Sequence, residues 1–205
     1  MRKTSFYPLE LALLLALAVT LLWGAWSLCR QDALQEKMIR LHVIANSDSA
    51  ADQALKLQVR DAVLSCAAGL LAQSADLTEA RVRLTDSLPA IGNAAAQELA
   101  RQGSTYAVAV SLEETEFPLK TYDGFALPSG EYLALRVVIG AGEGRNWWCV
   151  VYPPLCTAAC TDMEQVAIDA GLSGDDVKLI TEEDGYVLRF RAMELWQRLR
   201  QWLGK

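Results

Sequence analysis

The chain has 205 residues, 52% of them hydrophobic, with 25 acidic against 19 basic side chains and a formal charge of −6. A net acidic chain of this kind is ill suited to nucleic-acid phosphates or anionic lipid headgroups, and its length fits one ordinary domain with its own core. One histidine and five cysteines leave little from which to build a metal centre, so neither metal nor cofactor is expected.

The first predicted element is apolar. Leu11 to Cys29 carries no charge, follows Arg2 and Lys3 and precedes Arg30. At about 1.5 Å per residue such a run rises nearly the ~30 Å of a bilayer core. The basic flank predicts an inward N-terminus, and Trp23 and Trp26 suit the outer interface. Residues 1–30 are therefore read as a signal peptide or membrane anchor, meeting the membrane through residues 9–29. No small-x-small site precedes Cys29, and Leu28 stands where a lipoprotein site needs a small residue, so cleavage and retention both stay open. Beyond residue 30, sixteen basic and twenty-four acidic residues remain, a formal charge of −8.

Ile39 to Ala45, IRLHVIA, predicts a buried strand, and Asn46 to Ser49 supplies a turn and helix N-caps. Leu55, Val59, Ala62, Val63, Cys66 and Leu70 recur at helical spacing, which predicts a helix over 50–72. A second helix over 77–101 is broken or restarted near Pro89 and stopped by Gly103. Strands are predicted at 106–112 and 132–139, with an extended piece at 117–122 and turns at Asp123-Gly124 and 127–130. The glycines at Gly140, Gly142 and Gly144 predict a hairpin connection to a last strand, 147–152; their spacing is wrong for a dinucleotide site. After Cys160 the signals are a helix over 162–170, a linker over 171–176, a short strand over 186–190 and an amphipathic helix over 192–203. The fold class is α+β, a mixed sandwich: a largely antiparallel sheet with helices packed on it, preceded by the N-terminal signal or transmembrane helix. The organisation is 1–30, an α+β domain over 31–160, and a helical extension over 161–205.

Cys149, Cys156 and Cys160 cluster in a region expected to be exported, where disulfides are permitted. Cys149–Cys156 is the candidate pair and Cys156–Cys160 its competitor. A nucleophilic pair of Cys149 with His42 is the alternative reading, as an exported hydrolase; His42 lies in an alternating strand, which favours a structural role. Trp147 and Trp148 point to opposite faces of their strand, so one packs inward and the other is offered to solvent, a further layer or a partner. Candidate partner-binding residues are Asn46, Asp48, Asn146, Trp147, Trp148, Pro153 and Pro154; no catalytic residue and no metal ligand is assigned.

Two segments, IRLHVIANSDSAADQALKLQVRDAVL and FPLKTYDGFALPSGEYLALRVVIGAGEGRNWWCVVYPPLC, together with the apolar segment before them, resemble the stage II sporulation protein R family of endospore formers. The resemblance implies a non-enzymatic signalling protein, made in the forespore and exported into the space between forespore and mother-cell membranes. It implies a membrane-embedded aspartic protease as partner, which removes the pro-segment of the sigma-E precursor. Neither nucleic acid nor a small-molecule substrate is implied.

Overall fold

The computed structural model describes residues 7–122, 124–155 and 163–181. The predicted strand over 186–190, the helix over 192–203, Cys156 and Cys160 lie outside the described residues. The chain divides into two compact units, residues 1–34 and 35–205.

The first unit is mostly α1 (Tyr7–Gln35). Leucine side chains from Leu11 to Leu22, and Trp23, stand exposed along it. Among the described residues no helix is long and apolar enough to cross a membrane. The transmembrane helix expected over 9–29 is thus not found within the described residues.

The second unit is α+β. Its elements are β1 (Ile39–Ile44), α2 (Ala50–Leu71), α3 (Leu77–Asp86), α4 (Leu88–Arg101), β2 (Val108–Phe117), β3 (Lys120–Tyr122), β4 (Phe125–Leu127), β5 (Gly130–Ile139), β6 (Asn146–Tyr152), α5 (Met163–Asp169) and α6 (Gly174–Thr181). The main sheet runs β2-β5-β1-β6, and β3-β4 form a separate two-stranded sheet. Two of the three main pairings are antiparallel; β1 and β5 are parallel.

Strand alternation decides what each face carries. Ile39, Leu41 and Val43 of β1, with Leu135, Val137 and Ile139 of β5, face the helices. There they meet Val59, Val63, Ala67, Ala80, Leu84, Ile91, Ala95 and Leu99 in one buried core. The helices sit where their signals lie. Ser49 caps α2 through its side chain onto Asp52 N, and Asp76 caps α3 onto Glu79 N. Pro89 falls in the first turn of α4, where its missing N–H costs nothing, so the break predicted near it is a clean helix start.

Three expectations are corrected. The strand predicted over 106–112 runs on to Phe117, because all ten residues of β2 find partners on β5. The linker predicted over 171–176 begins a helix: Ser173 caps α6 by accepting from Asp176 N while Asp176 accepts from Ser173 N, a reciprocal box. The glycine-rich segment is not a hairpin connection, because β5 and β6 are not neighbours. It arches over the end of β1, which lies between them, with Glu143 N donating to Asn46 O and Gly144 N to Ala45 O. Gly140 has φ +57°, and a Cβ there would overlap the Asn46 side chain. A Cβ on Gly144 would overlap the Ser47 carbonyl.

Candidate functional site

The sheet face turned away from the core helices is polar and aromatic. Arg40 and His42 of β1 share it with Asn146 and Trp148 of β6, Tyr132 and Arg136 of β5, and Thr115 and Phe117 of β2. His42 stacks on Trp148 at 3.9 Å, and Phe117 meets Trp148 edge-on at 4.6 Å and Tyr132 at 5.6 Å. His42 Nε2 lies 3.0 Å from Asn146 Oδ1. Arg136 bridges to Glu113 at 3.2 Å across β5 and β2.

Arg40 is fully buried in this face. Its Nη2 donates to Tyr122 Oη at 2.6 Å, and its Nε reaches the Cys149 carbonyl at 3.4 Å. Its Cζ lies 4.0 Å from the Phe117 ring centre and 4.8 Å from that of Tyr132. Tyr132 donates to the Pro128 carbonyl at 2.8 Å, and burial pushes its phenol well up, against the pull of Arg40. Three buried polar atoms of this face have no hydrogen-bond partner: Arg40 Nη1, His42 Nδ1 and Thr115 Oγ1. Buried polar groups are nearly always satisfied; Ser74 Oγ, Trp147 Nε1 and Tyr152 Oη are orphaned elsewhere, but on this face the orphans include a guanidinium and an imidazole.

Burial holds the His42 imidazole below its ordinary 6.5; the Asn146 hydrogen bond opposes this, Arg136 reinforces it and Glu113 opposes it. The unfolded chain therefore takes up a proton where the folded chain does not. Stability falls as pH drops below about 6.5 and levels off beneath the folded value. Urea titrations from pH 7.5 to 5 are expected to show this slope, and His42→Gln to flatten it. Asp52 and Asp176, held below their ordinary 3.8, act only at more acidic pH. An unchanged slope in His42→Gln would mean that His42 is solvated.

The predicted candidates separate. Asn146 and Trp148 lie on this face. Trp147 turns to the helix side, packed against the core under the Arg60 guanidinium at 4.4 Å. Asn46 and Asp48 brace the glycine arch: Asn46 Oδ1 accepts from Ala141 N at 2.9 Å, and Asp48 Oδ1 from Arg145 N at 2.7 Å. Asn46 Nδ2 and Ser47 Oγ both donate to Asp52, at 2.9 and 2.5 Å, and these bonds hold that carboxyl below the usual range. Pro153, buried after a cis peptide bond, and Pro154 end β6. Cys149 is buried beside Leu41 on the helix side, whereas His42 faces the other way. The two therefore lie on opposite faces of the sheet, and the nucleophilic pair is not formed. Its proposed disulfide partner, Cys156, is outside the described residues.

Residues that the sequence reading passed over are Arg40, Arg136, Phe117, Tyr122 and Tyr132. The signal was present: a charge at Arg40 and an imidazole at His42, two apart in a strand otherwise wholly apolar, must share a face. A cleft of about 420 Å³ on the far side, between the start of α2 and residues 102–106, includes Asp52 and Tyr106. It contains none of the orphaned atoms.

Comparison with known proteins bears on this geometry. A family model described as Stage II sporulation protein R matches residues 35–162. A Bacillus subtilis (strain 168) protein named Stage II sporulation protein R is 37% identical over 123 residues, 60% of this chain and 55% of the relative. The match thus spans about half the length of that relative. No solved structure matches.

Proposed function

This chain belongs to the stage II sporulation protein R family, and on that footing we propose that it is an exported activator of a membrane-embedded aspartic protease. In this reading it is made in the forespore and acts across the intermembrane space. The protease it switches on removes the pro-segment of the sigma-E precursor in the mother cell. The chain supplies a binding surface and no chemistry of its own.

The observation that carries the binding role is the half-exposed face around Trp148, where aromatic rings surround polar groups left without partners among the described residues. Aromatic anchors beside unsatisfied polar groups suit a protein partner. Export is supported by the uncharged run Leu11 to Cys29 behind Arg2 and Lys3, with the exposed leucines of α1 as the apolar core of a signal segment.

The test is reconstitution in a non-sporulating host. The chain, the protease and the sigma-E precursor are co-expressed, and precursor length is followed by blotting. Shortening is expected only when this chain is present and carries its N-terminal segment. Shortening without it, or none with all three proteins present and this one exported, would overturn the activator reading.

A further inference from the structure

A buried guanidinium normally faces a carboxylate. Arg40 does not: its partners are a phenol oxygen, a carbonyl oxygen and two rings, all neutral. Among the described residues no carboxylate forms an ion pair with it, and Nη1 donates to nothing. Burying an unpaired cation is costly, and an apolar side chain of similar volume commonly does better in such a place. Ile44, on the same face of β1 as Arg40, is a buried apolar side chain, so this side of the strand accepts one. A charge kept here against that cost is a charge with a use.

The neighbouring orphans indicate what it is used on. With His42 Nε2–H donated to Asn146, Nδ1 is left as a buried acceptor, and it needs an N–H or O–H. Arg40 Nη1 needs an anion or another acceptor. A ligand that offers both an acidic oxygen and a nearby N–H fits the pair; sulfate or another simple anion offers only the first. A polypeptide carries both, as an acidic side chain and the backbone amides around it.

We propose that Arg40 is the anchor of a carboxylate-binding site whose ligand is an acidic side chain on an extended segment of a partner polypeptide. The carboxylate takes the place of Tyr122 Oη. That phenol occupies one terminal nitrogen of Arg40 from the β3-β4 hairpin, a two-stranded sheet of three residues a strand. Small hairpins of this kind are marginally stable on their own. Displacing one neutral oxygen opens both terminal nitrogens to a carboxylate fork, and charge-assisted bonds are roughly twice as strong as the neutral one they replace. Thr115 Oγ1, on the same face, is left to hydrogen-bond to the incoming backbone. The site rests on reading this face as a docking surface, but not on the partner being a protease.

The probe is the blocked peptide acetyl-Gly-Glu-Gly-amide, titrated into the full chain in mild detergent. Its glutamine counterpart and sodium sulfate are the controls. The readout is the 15N guanidinium resonances of Arg40, assigned by their loss in Arg40→Met. The glutamate peptide is expected to shift them saturably, with the glutamine peptide and sulfate without effect. Tyr122→Phe, which removes the competing phenol oxygen, is expected to tighten binding at least three-fold. Arg40→Met is expected to leave the urea midpoint unchanged or raised. No shift in either the wild type or Tyr122→Phe would overturn the proposal. A lowered midpoint in Arg40→Met would make the cation structural, and an equal response to sulfate would make the site one for simple anions. Failed precursor processing with intact peptide binding would sink the activator reading and leave this site standing.

Discussion

Gly144→Ala is expected to destabilise the domain by about 3 kcal/mol, the upper end for a steric insertion into a packed site. The added methyl would overlap the carbonyl oxygen of Ser47. That atom is backbone and cannot swing aside. It also sits at the contact that closes the arch, where Gly144 N donates to Ala45 O at 2.9 Å. Separating the two segments would loosen the Asn46 and Asp48 bonds to residues 141 and 145. The same substitution at Gly69 should have the opposite sign. Gly69 lies within α2, and a Cβ there meets nothing within 4 Å; alanine should gain about 1 kcal/mol in helix propensity. Urea unfolding of the two variants measures both. A Gly144→Ala protein within about 0.5 kcal/mol of wild type, the range of an inconsequential surface change, would mean that the arch does not pass close over β1.

Trp148→Ala and Trp147→Ala should fail in different assays. Trp147→Ala is expected to cost about 3 kcal/mol of stability, the low end for a large aromatic because the ring is only half-buried. It strips packing from the helix side and leaves Arg60 without the ring beneath it. At a temperature where it is folded, this variant should still signal. Trp148→Ala removes the ring stacked on His42 and set edge-on to Phe117. Such aromatic contacts are worth about 1 kcal/mol each, so the fold should survive. Precursor processing in the reconstituted system should drop about thirty-fold, the consequence of losing a 2 kcal/mol interface anchor. Equal processing by wild type and Trp148→Ala, at matched export, would move the docking surface elsewhere.

What the sequence made legible was what depends on neighbours in the chain. Period-two alternation in NWWCVVY puts Trp147 and Trp148 on opposite faces, and they are there. The caps at Ser49 and Asp76 and the placement of Pro89 follow from local hydrogen bonding and ring geometry. The arch at 140–145 was not legible, because turn chemistry cannot say whether another strand passes between the two it joins. The glycines look alike in a hairpin and in a crossing; the difference lies in Ser47 and Asn46, nearly a hundred residues earlier. Helix α6 hides for another reason: Gly171, Gly174 and paired aspartates read as a linker unless Ser173 and Asp176 are recognised as a reciprocal cap. Arg40 was visible as an anomaly in a buried strand, but its lack of a counter-charge among the described residues is a property of the assembled face alone.

The order of strands carries a consequence for the route to the folded state. Among the described residues β1 is the first strand and an inner one of the sheet, flanked by β5 and β6, the last two. Arg40 is hydrogen-bonded into the sheet only when Ala134 on one side and Val150 on the other have arrived. Pairings so distant in sequence form late, since the intervening chain must be closed before they contribute. A polypeptide threaded N-terminus first through a narrow translocation pore would therefore present β1 with no neighbour until residue 139 had cleared, and with both neighbours only after residue 152. Such a chain stays threadable for most of its passage, and its sheet closes on the far side in one late step.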